Sequence, residues 1–318
     1  MLQRLILAAL MLTLSACASW RGPTGFDWPD EQPSAAVVDD VPFFPQTDAY
    51  CGPAALASVL GHAGVNADPD SLADWVFLPE RQGTLQAELQ SQARQRGLIV
   101  YHPAASMEAV LAEVVAGRPV IVLENQGLPR RPVWHYAVIT GFDLEQGVLI
   151  QHSGTEESST MPLRRWQRQW RWAGRWSMVL VEPGDLPAGD RAAAWIRALA
   201  DFEGQGMNAR HAEAVHASWL LTTDRWPDAP MAWFGLGNSA VTQGDLTLAR
   251  QAFRQSLALA PDHAAARYNL AQLAAEQGDD CQALQLIEPL LAHEQLGRRA
   301  GDLAQQLSSR GVARCPSP

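Results

Sequence analysis

The residue best suited to covalent chemistry is Cys51, which stands just before a segment that is predicted to start a helix at Pro53. Proline is tolerated in the first turn of a helix, and alanine and leucine follow it here. The positive end of a helix dipole favours the thiolate, which is the form of cysteine that attacks carbonyl carbons. Gln46 lies five residues upstream and could place an amide donor beside the sulfur. The alternative is a buried cysteine beneath a helix cap.

A cysteine nucleophile needs a base within hydrogen-bond reach. Of the eight histidines, His135 is the best placed, because it lies inside the apolar segment 134–139, which is predicted to be a strand. A titratable side chain on a strand that is otherwise suited to burial requires a polar partner. A core histidine that is satisfied by backbone groups is the alternative interpretation.

The elements that must position these two residues lie between Val41 and Leu186. Helical patterns dominate the first part of this region and strand patterns the second, which predicts an α+β domain with antiparallel pairing. The predicted strands span residues 98–101, 119–124, 133–142, 147–152 and 176–182.

Two segments together carry a resemblance. Gln46 is followed at a spacing of five by Cys51-Gly-Pro-Ala-Ala-Leu, and the segment from His135 to Asp143 reads His-Tyr-Ala-Val-Ile-Thr-Gly-Phe-Asp. This pattern resembles the C39-like peptidase family, whose papain-like enzymes are related to domains that cleave leader peptides at double-glycine sites. The resemblance implies a papain-like domain over residues 41–186. It also implies Cys51 as nucleophile, His135 as general base and then acid, and Gln46 as oxyanion donor, with the Cys51 amide as a second donor.

The third catalytic position departs from the family pattern. The family usually has an aspartate at the end of the strand after the histidine, and here His152 stands at that position. We take His152 as the third member, although Gln151 or Ser153 could serve instead. An imidazole can orient His135 but stabilises an imidazolium less than a carboxylate does. This departure keeps open a domain that binds peptides without cutting them.

The C-terminal half is helical and repeats with a period of 34 residues, since Pro227 and Pro261 are 34 apart. In the middle copy Trp233, Leu236 and Gly237 lie where the tetratricopeptide consensus has them, as do three later residues, Ala249, Phe253 and Pro261. The prediction is a linker at 187–195, three tetratricopeptide-like units over 196–297, and a capping helix and tail over 298–318. Such an all-α domain implies a protein partner; the alternative is a generic helical bundle.

The N-terminus has the features of a secretory signal, with one positive charge, a short apolar run and small residues over positions 1–16. The segment Leu14-Ser-Ala-Cys17 resembles a bacterial lipobox, which implies lipidation of Cys17 and a lipid-anchored linker over 17–40. Alanine at position 18 favours the outer membrane, facing the periplasm. An ordinary signal peptide is the alternative. In that oxidising compartment Cys281 and Cys315 could pair as a disulfide.

The composition excludes some functions. A net charge of −10 does not suit a nucleic-acid partner, and no cysteine spacing indicates a metal, so no cofactor is expected. Segment 164–176 interleaves five arginines with four tryptophans. It is expected to pack tryptophan on the core with arginine solvated; a membrane-surface patch or an aromatic rim for substrate are the alternatives.

These observations lead to three hypotheses. The first is an envelope-anchored cysteine peptidase that cleaves a peptide or protein substrate through a Cys51 thioester, while its repeats recruit a protein. The second is a non-catalytic peptide-binding adaptor of an envelope complex. The third is amidase or acyl-transfer chemistry on peptidoglycan stems.

Overall fold

A computed structural model describes residues 26–45, 50–78, 80, 83–204 and 211–310. The chain forms two compact units, which are described separately below. The first contains the described residues up to Ala93 and from His102 to Leu180, and the second contains Arg94–Tyr101 and the residues from Val181 onward. Three residues with predicted roles, Cys17, Gln46 and Cys315, lie outside the described residues, so their roles stay predictions. None of the described helices is both long and apolar enough to cross a membrane.

The strands follow the chain in the order that the sequence predicts, with additions at the edges. Their bounds are β1 (Ala35–Val37), β2 (Phe77–Leu78), β3 (Gly83–Thr84), β4 (Ile99–Tyr101), β5 (Val120–Asn125), β6 (Trp134–Asp143), β7 (Val148–Ser153), β8 (Glu156–Pro162) and β9 (Ser177–Val181). In the first unit the strand order is β9–β5–β6–β7–β8, and β1 lies beside β6 beyond the end of β5. All of these pairs are antiparallel. The predicted α+β class is confirmed.

Five helices belong to the N-terminal half: α1 (Cys51–His62), α2 (Pro69–Val76), α3 (Gln86–Gln95), α4 (Met107–Val115) and α5 (Leu163–Trp172). Side-chain caps explain two of the starts, because Asp68 accepts a hydrogen bond from the Ser71 amide and Ser106 accepts one from the Ala109 amide. Helix α1 is buried along nearly its whole length and packs against β5 and β6. It is therefore the core helix of the first unit.

The two-stranded sheet of β2 and β3 was not predicted, and two strands of the main sheet also differ from the sequence prediction. β1 lies in the segment that was expected to be only a linker, and its pairing with β6 continues through a 2.7 Å hydrogen bond from the Val38 amide to the Thr140 carbonyl. β8 was not predicted, because its largely exposed segment Glu156-Glu-Ser-Ser-Thr lacks apolar alternation. Backbone pairing with β7 is enough to hold such a polar edge strand.

The segment 164–176 folds as the core-packing interpretation predicts. Trp166 and Trp170 are buried and stacked, with ring centroids 4.7 Å apart, whereas Arg164, Arg165 and Arg168 are exposed. One face of α5 thus covers the sheet and the other faces solvent.

The second unit is helical apart from β4. Its helices are α6 (Ala192–Glu203), α7 (Ala212–Arg225), α8 (Pro230–Gln243), α9 (Leu246–Leu259), α10 (Ala264–Glu276), α11 (Asp280–Ile287) and α12 (Gly297–Ser309). Consecutive helices pack together around small and aromatic residues such as Ala249 and Phe253. Gly237 allows one of these close approaches, because a Cβ atom there would clash with the Phe253 ring. The helix pairs α8–α9 and α10–α11 coincide with the second and third predicted repeats.

Candidate active site

Cys51 is the first residue of α1 and is half-buried. The first amide groups of a helix have no partner inside it, so Pro53 removes no helix hydrogen bond. The next amide, of Ala54, donates to the Tyr50 carbonyl at 3.0 Å. Gly52 lets β3 pass directly over the start of the helix, because a Cβ atom there would lie 2.6 Å from the side chain of Thr84. The sequence Cys-Gly-Pro therefore places the sulfur at a tightly packed helix start.

Burial changes the ionisation expected for the sulfur. Desolvation raises the pKa of the Cys51 thiol, and backbone hydrogen bonds from Tyr136, Gly52 and Cys51 itself lower it by less. At neutral pH burial therefore favours the thiol. The removal of water opposes the effect of the helix dipole, from which the sequence predicted a thiolate.

His135 is the second residue of β6 and is also half-buried. Burial lowers the pKa of its imidazole, so the ring is neutral at neutral pH. Its Nε2 atom lies 3.0 Å from Oγ of Ser153. When the Nε2–H donates to this hydroxyl, Nδ1 carries the lone pair that can accept a proton. Within the described part of the chain, no hydrogen bond to Nδ1 is present.

The backbone beside His135 brings this strand to the sulfur. The next residue, Tyr136, hydrogen-bonds the Cys51 sulfur through its backbone, and its phenol donates to the Thr84 carbonyl at 3.2 Å. Thr84 in turn packs on Gly52 at the start of α1. The thiol therefore lies against the β6 backbone at the residue that follows His135.

His152 does not reach His135. It is buried, its Nε2–H donates to the Val41 carbonyl at 3.1 Å, and its Nδ1 accepts from the Ser158 amide at 3.1 Å. Both ring nitrogens of His152 are therefore engaged by backbone groups, and neither bonds to His135. The assignment of His152 as third member was wrong by one residue. Ser153, which the sequence left as an alternative, holds the position, but a hydroxyl carries no charge.

Glu124 is a site residue that sequence reasoning missed. It ends the apolar run of β5 and pairs directly with His135 in the sheet register. It is fully buried, and its Oε2 accepts from Nε2 of Gln126 at 3.3 Å. Burial raises the pKa of Glu124 to about 7, against smaller lowering effects of Gln126, the Arg165 charge and the Trp166 N–H. The sequence signal that could have identified Glu124 was a lone carboxylate at the end of an otherwise apolar strand.

Among the described residues, no group of histidine, cysteine or acidic side chains is arranged to hold a metal ion. The polar groups around Cys51 instead suit acyl transfer: a thiol, a neutral imidazole and free amides at a helix N-terminus.

Comparison with known families identifies both parts of the chain. The model of the peptidase C39-like family matches residues 38–178. The chain carries a C39-like peptidase domain. Tetratricopeptide repeat models match residues 208–260 and 235–292, so the repeats predicted in the second unit are confirmed. None of the curated proteins is similar to the chain.

Several solved structures resemble parts of the chain. A C39-like peptidase from Bacillus anthracis is 18% identical over 46% of this chain and 98% of its own, with a TM-score of 0.40. The peptidase domain of Streptococcus ComA, a bifunctional ABC transporter of a quorum-sensing pathway, is 24% identical over 45% and 98%, with a TM-score of 0.37. The Yersinia enterocolitica translocator chaperone SycD is 12% identical over 38% and 89%, with a TM-score of 0.34.

The raised pKa of the Cys51 thiol predicts an alkaline reactivity profile. Modification of Cys51 by iodoacetamide, followed by mass spectrometry of the Cys51 peptide, should rise with pH to a midpoint above that of glutathione measured alongside. The physical reason is the loss of hydration around the thiolate. A midpoint below that of glutathione would show that the helix start stabilises the thiolate after all.

The positions of Ser153 and His152 predict opposite effects of substitution. Ser153→Ala should slow Cys51 modification at neutral pH several-fold, with little change in stability, because it removes the partner of the His135 ring. His152→Ala should lower the free energy of unfolding by about 2 kcal/mol or more, because it leaves a buried carbonyl and amide unpaired. Urea unfolding and labelling kinetics of both variants measure this, and the reverse pattern would restore His152 to the site.

Proposed function

We propose that the protein is a cysteine peptidase that hydrolyses peptide bonds through a thioester on Cys51. The observation that carries the proposal is the contact of the Cys51 sulfur with the backbone of β6 beside a neutral His135, within a C39-like peptidase domain. A neutral imidazole with one nitrogen held by Ser153 has the form that a general base requires.

The reaction starts from a neutral pair. Sulfur attacks the substrate carbonyl carbon while Nδ1 of His135 takes the thiol proton. The carbonyl oxygen becomes an oxyanion, which the Cys51 amide can stabilise together with the side-chain amide of Gln46. One such donor contributes roughly 3–4 kcal/mol to transition-state stabilisation.

The two halves of the reaction share the same base. The imidazolium returns its proton to the leaving amine, the C–N bond breaks, and a thioester remains on Cys51. His135 then takes a proton from water, and the hydroxide that forms attacks the thioester carbon. The C–S bond breaks, the sulfur recovers the proton from His135, and the carboxylic acid leaves.

In this proposal the repeats recruit a protein partner or the substrate itself. The tetratricopeptide match supports this role, because such repeats present extended binding surfaces. A groove of about 510 Å³ runs along this unit and is lined in part by Phe234, Tyr268 and Arg299. An aromatic groove with polar and charged groups suits a peptide segment.

We further propose that lipidation of Cys17 anchors the protein to the cell envelope, with the domains in the periplasm. The lipobox-like segment Leu14-Ser-Ala-Cys17 is the support for this proposal.

A non-catalytic adaptor is the second candidate function. The observation in its favour is Ser153, which orients the His135 ring without the negative charge that would stabilise an imidazolium. Such a domain would bind a peptide against Cys51 and release it unchanged.

Peptidase activity predicts that products depend on Cys51 and His135. The full-length protein in detergent should cut a peptide library made from envelope proteins, with new termini detected by mass spectrometry. Cys51→Ala should abolish the cuts. His135→Ala should slow them about 10²-fold or more, the contribution typical of a general base. The control is His62→Ala at the far end of α1, which should keep full activity. Binding of the peptides by wild type and Cys51→Ala alike, without any cleavage, would establish the adaptor.

The anchoring proposal predicts the behaviour of a Cys17→Ser variant. It should leave the membrane fraction and appear in the soluble fraction, while Cys281→Ser should stay with the membranes because only Cys17 receives lipid. Quantitative immunoblots of fractionated cells measure this. A Cys17→Ser protein that still sediments with membranes contradicts lipid anchoring.

A further inference from the structure

We propose that Glu124 is a positioning residue that stabilises the imidazolium form of His135, in place of the carboxylate that β7 lacks. This inference rests on the proposed function, since it assigns the source of negative charge in the same site.

The sheet register places the two side chains together. Glu124 on β5 pairs with His135 on β6, so both side chains project from the same face of the sheet. Directly opposite residues of an antiparallel pair have Cβ atoms roughly 4.5–5.5 Å apart. Ser153 contacts the same ring from the opposite neighbouring strand, β7. The histidine on the middle strand therefore has a hydroxyl on one side and a carboxyl on the other.

The burial of Glu124 has no evident structural benefit. The residue is fully buried, and among the described residues its Oε1 atom has no hydrogen-bond partner. An unpaired buried polar atom destabilises a fold by about 1–3 kcal/mol. Glu113 shows what a structural buried glutamate looks like here, because it forms an ion pair with Arg118 at 2.8 Å. In the described part of the chain, Glu124 instead has only the Gln126 amide within hydrogen-bond distance, while the Trp166 N–H and the Arg165 charge favour its carboxylate without a close contact.

The surroundings of Glu124 allow it to carry charge at working pH. The groups that act on its carboxyl are Gln126, which follows β5, and Arg165 and Trp166 from α5. Its cross-strand partner on β6 is His135, and the nearest paired residue of β9 is the uncharged Ser177. Arg165 and Gln126 favour the carboxylate, and burial opposes it. The carboxyl therefore ionises near neutrality, and above that pH the cross-strand partner of His135 carries a negative charge.

The proposed role requires no proton transfer to Glu124. The thiol proton of Cys51 moves to Nδ1 of His135, and Glu124 remains a carboxylate throughout. Its negative charge lowers the energy of the separated thiolate and imidazolium. Ser153 fixes the orientation of the ring, and Glu124 supplies the charge.

The experiment measures iodoacetamide modification of Cys51 in full-length Glu124→Gln, which keeps the shape and removes the charge. At about pH 7.5 the rate should fall about ten-fold, equivalent to one unit in a proton equilibrium. At about pH 10 the rate should not fall, because the sulfur then loses its proton to solvent without the help of His135. An unchanged rate at the lower pH, or an equal loss at both, overturns the proposal.

A matched control and a rescue separate charge from structure. Glu113→Gln, which neutralises another fully buried glutamate, should destabilise the fold and leave the rate at Cys51 unchanged. Adding Ser153→Asp to Glu124→Gln should restore most of the lost rate, because it places a carboxylate where the hydroxyl now contacts His135. Failure of this rescue in a folded double variant counts against the proposal.

Stability gives an independent readout. The folded-state pKa of Glu124 is raised from 4.5 to about 7, so the folded protein holds a proton that the unfolded chain releases. Ionisation of this group therefore lowers the free energy of unfolding as the pH rises. Its stabilising contribution is complete below about pH 4.5 and is lost as the pH rises through about 7. Glu124→Gln should gain stability relative to wild type between about pH 5 and pH 8, while losing reactivity. A loss of stability in Glu124→Gln at about pH 5 and about pH 8 alike would show that Glu124 has a structural role.

A second variant covers the case in which Glu124→Gln does not fold. Arg165 is exposed and favours the Glu124 carboxylate, so Arg165→Gln should move the rise of Cys51 reactivity to higher pH. Arg164→Gln, on the same exposed stretch of α5, is the matched control. An identical profile in both variants overturns the proposal. Labelling requires no peptide cleavage, so a dependence on Glu124 without any hydrolysis would refute only the proposed function.

Discussion

Removal of water from the Cys51 sulfur and the His135 ring governs the chemistry open to this site. Desolvation disfavours the charged form of each group, so the pKa of the thiol rises and the pKa of the imidazole falls. The backbone amides around the sulfur oppose this effect, but burial is the larger of the two. The resting pair is neutral, and charge separates only when the sulfur attacks. A group that stabilises the separated charges therefore acts mainly in the transition state, where stabilisation increases the rate.

The fold maintains this burial through backbone contacts. Gly52 is required because β3 crosses the helix start with no room for a Cβ atom. The Tyr136 phenol then joins β3 to β6, while its backbone contacts the sulfur. These contacts connect a helix, a short hairpin and the middle strand of the sheet at one point. These contacts fix the backbone of Cys51 relative to the backbone of β6 through the packing of three elements.

The sequence predicted the parts of the site that depend on local pattern. Cys51 before a helix and His135 inside an apolar strand were both identifiable, and so were the α+β class and the repeats. Ser153 was harder to assign, because one residue along a strand reverses the face and the sequence does not show where the pairing of β7 ends. Glu124 was missed for a deeper reason. Its relation to His135 exists only through the register of β5 and β6, which brings together residues that no local pattern connects. Polar β8 was missed because backbone pairing alone holds it.

Because β6 is a central strand, the groups that assist His135 can come from either of its neighbouring strands. A histidine on a middle strand has neighbours on two sides, so the group that orients the ring and the group that supplies charge need not be the same residue. Here Ser153 on β7 contacts Nε2, and Glu124, the residue proposed to supply the charge, pairs with His135 from β5. A carboxylate on β7 would perform both tasks with one side chain. When orientation and charge come from two residues, the charge lies deeper in the core. There it destabilises the fold more, but it also acts through a lower effective dielectric constant. Loss of the usual aspartate is therefore compatible with a charged site, at the expense of stability.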